Sequence, residues 1–302
     1  MSRLKPILFS TFEQAHKLLW GTGIGRIPGV NVVSALLFER LWPDKSPVVE
    51  IQGSKMYVDS KGLPKGFRRT LQTYAMRKTW EELTTDLFKE VVKEGNVVVD
   101  LGANIGYYSL LAARLVGSKG RVYAFEPEPT NYSLLLKNIE LNGYHNIIPV
   151  SKAVSNAVGT VRLFLDNQDT GAHTICEPGK KGKPIEVESV TLDEFFKDRE
   201  PRIDVIKMDI EGAEMSALVG MDRILKENND LRIFVEFYLP GIARSGSSPQ
   251  EFIRRLLEDY HFSVLAIGEY TKDRKYLKID KVDELMDFCK GEKTANLFLE
   301  RK

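Results

Sequence analysis

Three carboxylates stand directly behind a hydrophobic run in the segment VIKMDIEGAEM, at Asp209, Glu211 and Glu214. Acids in this position could act as a general base, ligate a cation or cap a helix. Asp209 is the first candidate for the reaction centre, as a base or as the group that orients a hydroxyl, and a helix N-cap is its alternative role. Glu214 suits the first turn of a helix, where the helix dipole favours acids.

A metal centre is not predicted from these residues. A hard cation usually takes six or more oxygen ligands, whereas Asp209 and Glu211 offer two carboxylates. The four histidines are scattered, and Cys176 and Cys289 form no CxxC pattern. This arrangement argues against a zinc site or a disulfide framework and fits a reducing compartment.

A glycine-containing turn follows the strand-like run NVVV in the string DLGANIG, with Asp100, Gly102, Asn104 and Gly106. Glycine lets the backbone turn tightly and lets a ligand approach without a Cβ in the way. The spacing differs from the GxGxxG of dinucleotide folds, and Asp100 would repel a pyrophosphate. It would attract an ammonium group, so the string favours S-adenosylmethionine (SAM) as the ligand.

The next strand ends in FEP, and its acid Glu126 precedes Pro127. A carboxylate at a neighbouring strand tip can accept hydrogen bonds from both hydroxyls of a ribose, as in dinucleotide folds. Two further acceptor or base candidates follow along the chain. Glu236 ends the strand FVEFY and would contact substrate or fasten a loop, and His173 is the one histidine considered for base chemistry.

The elements that position these residues alternate from about residue 76 onward. Hydrophobic runs such as RVYAFEP, NIIPVSKAVS, IDVIKMD and LRIFVEFY predict strands, and TNYSLLLKNIELNG, AEMSALVGMDRILKE and SPQEFIRRLLEDYH predict helices. Strands alternating with helices indicate an α/β domain with a doubly wound, mostly parallel sheet. Ligands of such sheets bind outside the carboxyl ends of the strands, where the candidate acids stand.

A separate region, residues 1–75, is predicted before this domain of residues 76–302. Helical spacing of Phe12, Ala15, Leu18 and Leu19, and again of Val33, Leu36, Leu37 and Leu41, predicts two helices. VVEIQGSKMYVD predicts a β-hairpin that turns at Gly53-Ser54, a pair suited to a type II′ turn. The helices would pack on their own region or, with Lys5, Lys17 and Arg26, contact a membrane surface.

Composition limits the classes of partner. The 302 residues carry 43 Lys+Arg against 42 Asp+Glu, a formal charge of +1, so no nucleic-acid partner is expected. No apolar run reaches the length of a membrane span, and a cytoplasmic protein is expected. The sequence does not indicate an oligomeric state.

The strings VVVDLGANIGYYSLLAA, VYAFEPEPTNYSLLLKNIELNG, AVSNAVG, VTLDEFF and IDVIKMDIEGAEMSALVGM resemble the FkbM-type SAM-dependent methyltransferases in order and spacing. The resemblance covers roughly Trp80 to Glu236 and implies a class I, Rossmann-like methyltransferase fold whose last strand, NLFLE, is antiparallel. It also implies that Ala153 lies at the cofactor. Asn156 departs from the pattern, because the family usually has Asp there.

Members of this family usually methylate a hydroxyl oxygen on a small molecule or glycan, which is the function that the resemblance implies. Glu211 and Glu236 are then the candidates for contacting the acceptor. Specificity for the acceptor is expected in the N-terminal region, in residues 166–183 and in the loop LPGIARSGSSP. A methyltransferase of RNA or protein, and a SAM-binding module without catalysis, are the alternatives.

Overall fold

The protein is described by a computed structural model in which residues 8, 11–12, 14–15, 30, 33, 37, 40, 48–57, 78–166, 171–177, 184–200, 202–269, 275–289 and 294–301 are placed. The chain divides into two compact units, Met1–Trp80 and Glu81–Lys302. The sequence places the boundary at residue 75. No helix within the described residues is long and apolar enough to cross a bilayer.

In the first unit, the helix-patterned residues Phe12, Ala15, Val33 and Leu37 are helical. The other apolar positions of the two predicted helices, and the basic residues considered for membrane contact, lie outside the described residues.

The predicted hairpin is present as strands β1 (Val48–Ile51) and β2 (Ser54–Tyr57). The predicted turn was wrong by one residue. Ile51 pairs with Ser54, so Gln52 and Gly53 form the loop, and both have positive φ, 52° and 78°. Positive φ at both central residues is typical of a type I′ turn rather than type II′.

The second unit alternates strands and helices through most of its length. Its strands are β3 (Val97–Leu101), β4 (Arg121–Phe125), β5 (Ile147–Val150), β6 (Ala153–Val154), β7 (Gly159–Leu163), β8 (Ile185–Val190), β9 (Val205–Met208), β10 (Arg232–Tyr238), β11 (Phe262–Ile267), β12 (Tyr276–Ile279) and β13 (Thr294–Arg301). Its helices are α1 (Glu82–Val91), α2 (Tyr107–Val116), α3 (Pro129–Asn142), α4 (Leu192–Phe195), α5 (Glu214–Val219), α6 (Asp222–Glu227), α7 (Leu239–Arg244), α8 (Pro249–Arg254) and α9 (Val282–Phe288).

The main sheet has the order β12-β11-β13-β10-β9-β3-β4-β5 among the described residues. Strands β10, β9, β3, β4 and β5 pair in parallel, and β13 runs antiparallel between β10 and β11. This arrangement confirms the class I methyltransferase fold and the antiparallel last strand. A separate small sheet, β6-β8-β7, carries its own apolar cluster of Ala153, Leu163 and Val187.

The central strands are buried because helices cover both faces of the sheet. The β3 sequence VVVDL and the β9 sequence VIKM are almost fully inaccessible. Such near-continuous hydrophobic runs are typical of parallel strands that are covered on both sides. The polar exceptions, Asp100 and Lys207, therefore need partners inside the protein.

Two predicted elements are divided in the structure. The predicted strand NIIPVSKAVS forms β5 in the main sheet and β6 in the small sheet, because the chain turns out of the main sheet between them. The predicted helix AEMSALVGMDRILKE breaks at Gly220 and Met221 into α5 and α6. Gly220 packs so closely on the backbone that a Cβ there would overlap the carbonyl oxygen of Ser155.

One face of the sheet carries a row of paired residues whose side chains project the same way. Asp100 on β3 pairs with Lys207 on β9, which pairs with Phe234 on β10. Paired residues of neighbouring strands share a face, and Tyr108 of α2 covers this one, with its ring 5.0 Å from the Lys207 Nζ. Phe88 of α1 packs 5.3 Å from Phe234, between ring centroids.

Helix α1 is held by residues that follow much later in the chain. The Glu269 carboxylate accepts hydrogen bonds from the backbone N–H groups of Leu83 and Thr84, at 2.9 and 3.1 Å. These are two of the N–H groups that the first turn of a helix leaves without an intrahelical partner. Asn296 of β13 donates to the Thr84 hydroxyl at 3.0 Å, so α1 is fixed on the sheet at its N-terminal end.

We expect Gly220→Ala to lower the free energy of unfolding by about 2–3 kcal/mol, because the new methyl group overpacks against a backbone oxygen that cannot rotate away. Chemical denaturation followed by circular dichroism measures the change. Val219→Ala, at the neighbouring exposed position, is the control and should change stability by about 0.5 kcal/mol or less. Equal effects of the two substitutions would contradict the packing argument.

Candidate active site

The turn after β3 meets the turn after β9 at the carboxyl ends of these strands, through Gly102 and Asp209. Gly102 has φ +81°, and a Cβ on it would overlap the carbonyl oxygen of Asp209. The Asp209 N–H donates to the Leu101 carbonyl at 3.0 Å, extending the β3–β9 pairing to the strand tips. Glycine at this position is therefore what allows the two turns to meet.

Glu126, at the tip of β4, is fixed by two backbone donors. Its carboxylate oxygens accept from the N–H groups of Asn104 and Glu128, each at 2.8 Å. Burial raises the pKa of Glu126 to about 7, against the lowering effect of these two hydrogen bonds. An ionised carboxylate has about four acceptor positions. The Asn131 side chain also hydrogen-bonds this carboxylate, so its three protein donors leave about one acceptor position for a ligand.

A cavity of about 60 Å³ lies over the tips of β3, β4 and β9. It is lined by five of the residues that sequence analysis predicts at the cofactor, namely Gly102, Asn104, Glu126, Pro127 and Ala153, and also by Asp209 and His173. The acceptor capacity that remains on Glu126 can receive a hydrogen bond from a ribose hydroxyl. The residues present therefore fit an adenosyl ligand.

Gly106 and Asp100 do not line this cavity. Gly106 precedes α2 with φ +100°, and a Cβ there would press on Leu135 of α3. The buried Asp100 carboxylate accepts a hydrogen bond from the Ser109 hydroxyl at 2.5 Å, and burial raises its pKa to about 6. The structure thus places these two residues behind the cavity, where they shape the turn.

Lys207 lies under the site with 1% of its side chain exposed. Its Nζ is 3.5 Å from an Asp209 carboxylate oxygen. Burial acts to lower the pKa of Lys207, but the carboxylates of Asp209, Glu81 and Glu236 outweigh it, so the pKa lies above its ordinary value. The lysine is therefore a permanent buried cation beside Asp209.

Asp209 does not cap a helix, so the helix N-cap predicted as its alternative role is wrong. Helix α5 begins at Glu214 with Ala213 as its N-cap, and residues 210–213 form a turn between β9 and that helix. Within this turn Glu211 has φ +52° and Gly212 has φ +100°. Glu214 itself is buried and accepts from the Gly212 N–H at 3.1 Å, so it stabilises the turn.

A second cavity of about 220 Å³ lies next to the first. Its lining residues are Phe164, Leu165, Asp166, Ala172, Thr174, Glu211, Glu236, Tyr238, Arg244 and Thr294. Two of the three regions that the sequence associates with acceptor specificity contribute, one through Asp166, Ala172 and Thr174 and the other through Arg244 of α7. Glu211 and Glu236, the predicted acceptor contacts, line it together.

The two cavities share their walls. Gly171, His173 and Ile175 line the first cavity, whereas Ala172 and Thr174 between them line the second. The Thr174 hydroxyl donates to the Glu211 carbonyl at 2.7 Å and joins this segment to the β9 turn. A group bound in one cavity is therefore separated from the other by a single layer of residues.

His173 is held through one ring nitrogen. Its Nδ1 accepts a hydrogen bond from the Asp166 N–H at 3.0 Å. In a neutral imidazole the other nitrogen, Nε2, then carries the proton and can only donate. This geometry favours His173 as a hydrogen-bond donor in the first cavity over a role as a base.

Three carboxylates converge where the cavities meet. One oxygen from each of Asp209, Glu211 and Glu236 lies within 4.8 Å of the others, close enough to hold a cation. Burial, and then the charges of Asp209 and Glu211, raise the pKa of Glu236 well above its ordinary value. The Lys207 ammonium already supplies positive charge beside this group.

Sequence reasoning missed the residues that complete the second cavity as individual contributors. Arg244, Tyr238 and Phe164 line it. Arg244 lies in the loop LPGIARSGSSP and Tyr238 in FVEFY, but neither was predicted as an individual contact. The available signal for Tyr238 was its place at the end of β10, two residues after Glu236 and on the same strand face. For Arg244 the signal was only its place in that loop, because its position in the cavity depends on how α7 packs.

Residues 100–264 match the family model described as the methyltransferase FkbM domain. A methyltransferase of Sordaria araneosa, sdnD, is 30% identical over 244 residues, covering 68% of this chain and 88% of its own. The hexuronic acid methyltransferase AglP of Haloferax volcanii is 26% identical over 174 residues, covering 57% of this chain and 66% of its own.

A solved structure that aligns with the chain is methyltransferase FkbM from Methylobacillus flagellatus. It has a TM-score of 0.40 and 15% identity, covering 76% of this chain and 54% of that one.

We expect Glu126→Gln to weaken binding of S-adenosylhomocysteine (SAH) by about tenfold to a hundredfold, because hydrogen bonds to a charged acceptor are lost. In the native protein, affinity should fall as the pH is lowered from 8 to 6, since Glu126 becomes protonated near pH 7 and loses acceptor positions. The variant should lack this pH dependence. Isothermal calorimetry measures both effects.

The exposed acid Glu140 of α3 provides the matched control, and Glu140→Gln should bind SAH as the native protein does at both pH values. If Glu126→Gln binds SAH with native affinity, Glu126 does not hold the ribose.

Proposed function

The chain belongs to the FkbM family of SAM-dependent methyltransferases, and we propose that its acceptor is a hydroxyl oxygen on a small molecule or glycan. The observation that carries this proposal is the pair of adjoining cavities. Asp209 lines the cavity that fits the cofactor, and its neighbour Glu211 lines the other. Donor and acceptor can thus occupy separate pockets that meet at the tip of β9.

SAM, when bound, supplies a methyl group on a sulfonium ion. The chain would hold it through the acceptor capacity left on Glu126 and through the turn at Gly102, which lines the cavity. Methyl transfer is a displacement in which the enzyme chiefly aligns two reactants. The separate pockets, fixed by the Asp209 backbone hydrogen bond and by the bond from the Thr174 hydroxyl to the Glu211 carbonyl, provide that alignment.

Asp209 is the proposed base that takes the proton of the acceptor hydroxyl. Its side chain is 31% exposed, at the tip of β9, with one oxygen 3.5 Å from the Lys207 ammonium. The ammonium restrains the carboxylate while the second oxygen remains available to the hydroxyl. His173, whose Nδ1 accepts from the Asp166 backbone, is better placed to donate a hydrogen bond near the reacting groups.

The composition of the second cavity supports a small acceptor over RNA. Among the described residues of its lining, Asp166, Glu211 and Glu236 outnumber Arg244. Binding of nucleic acids is dominated by several phosphate groups, each matched by Lys or Arg, and the described part of this lining offers one cation for them. The similarity to AglP, which is named as acting on a hexuronic acid, supports a sugar among the small acceptors.

We expect Asp209→Asn to lower turnover by about a hundredfold to ten-thousandfold, the range for loss of a general base. SAH affinity should stay within about threefold of native by calorimetry, because Asn has nearly the same shape. SAH release with a panel of hydroxylated acceptors gives the turnover. His173→Gln should lower turnover less than Asp209→Asn does.

Asp230→Asn, at an exposed turn, is the control for removal of one carboxylate. Native turnover in Asp209→Asn would exclude Asp209 as the base. Absence of turnover in the native protein with every acceptor, despite tight SAH binding, would favour a SAM-binding module.

We further expect EDTA to leave turnover and the unfolding temperature unchanged. The charge beside Asp209 comes from Lys207, which is covalently part of the chain. Activity is compared before and after dialysis against the chelator, followed by addition of Mg²⁺ or Mn²⁺. A loss on dialysis that either ion restores would show that Asp209, Glu211 and Glu236 hold a metal.

A further inference from the structure

Arg244 is the cation among the described residues that line the second cavity, and these residues give its guanidinium no hydrogen-bond or ion-pair partner. The guanidinium lies 5.5 Å from the centroid of the Tyr238 ring, which also lines the cavity. A guanidinium near an aromatic ring is restrained yet keeps its N–H donors free for a planar anion.

The position of Arg244 is set by a close contact between backbones. Gly212 of the β9 turn packs on Gly241 of α7 so tightly that a Cβ on Gly212 would lie 2.5 Å from the Gly241 carbonyl oxygen. This contact fixes α7 against the turn that bears Glu211, and Arg244 ends the same short helix. The backbone of Arg244 is therefore fixed relative to the acids by the fold, and its exposed side chain lies beside the Tyr238 ring.

The other lining residues indicate which groups a ligand would carry besides an anion that binds Arg244. Asp166, Glu211 and Glu236 offer carboxyl groups that accept hydrogen bonds from hydroxyls, and Phe164 and Tyr238 offer apolar ring surface. The volume of about 220 Å³ is below the range of drug-sized ligands, so the occupant is small.

Resting on the proposed function, we propose that the acceptor is a polyhydroxylated carboxylic acid about the size of one sugar ring, with its carboxylate on Arg244. A single carboxylate can face the arginine while the hydroxyls of the same molecule face the acids. A neutral sugar would leave the arginine without a partner. An amino sugar would place a second cation beside it.

Three hexoses that differ only at C6 test this inference: methyl glucuronide, methyl glucoside and the methyl glycoside of 6-amino-6-deoxyglucose, with the galacto series in parallel. Each is titrated into SAH-saturated protein by calorimetry. In at least one series the native protein should bind the uronic acid about tenfold or more tightly than the other two members, and added KCl should weaken this preference.

Arg244→Gln should weaken uronic acid binding about tenfold, the effect of losing one charge-assisted hydrogen bond, and leave the neutral sugar unchanged. Arg244→Lys should retain part of the preference, since it keeps the charge without the planar fork. Arg114→Gln is the matched control, because Arg114 is exposed on α2 and also lacks a partner among the described residues.

The outcomes separate the two proposals. Equal binding of the three hexoses, preference for the neutral or amino sugar, no binding of any of them, or an unchanged preference in Arg244→Gln overturns the inference while SAH still binds. Absence of SAH binding to the native protein instead overturns the proposed methyl transfer.

Discussion

The arrangement of this site depends on the interaction between the buried ammonium of Lys207 and the carboxylates around it. A charge inside a sheet is costly unless opposite charges and polarisable groups surround it. Asp209, Asp100, Glu236 and Glu81 supply those charges, and the Tyr108 ring covers the nitrogen. The acids at the strand tips and the helices above them are therefore parts of one electrostatic unit. Replacing any one of them changes the balance for the others.

The second constraint is the close approach of backbones at glycines. Gly102 lets the β3 turn touch the carbonyl of Asp209, and Gly212 lets the β9 turn touch Gly241 of α7. The first contact sets the edge of the cofactor cavity, and the second sets the edge of the other cavity. Because both contacts involve the same connection after β9, the two cavities keep a fixed relation to each other. Side chains such as Asp209 and Glu211 then provide chemistry on a rigid turn.

Much of the fold could be predicted, because parallel strands are uniformly apolar and their tips carry the acids. Predictions from these strand tips placed Gly102, Asn104, Glu126 and Asp209 together, and all four line one cavity. It failed where tertiary contacts decide local structure. The break at Gly220 follows from packing on the Ser155 carbonyl, and the departure of β6 from the main sheet follows from pairing with β8. Arg244 reaches its cavity through helix packing, which no local pattern records.

The capping of α1 by Glu269 has a consequence for how the second unit is assembled during synthesis. The carboxylate lies 186 residues beyond Leu83, and the Asn296 amide lies 212 residues beyond Thr84. Contacts of such sequence separation form slowly, because the intervening loop must close first. On the ribosome, α1 would emerge early and wait for almost the whole unit before it could dock. Its apolar face would be exposed meanwhile, which makes the nascent chain a natural client for chaperones.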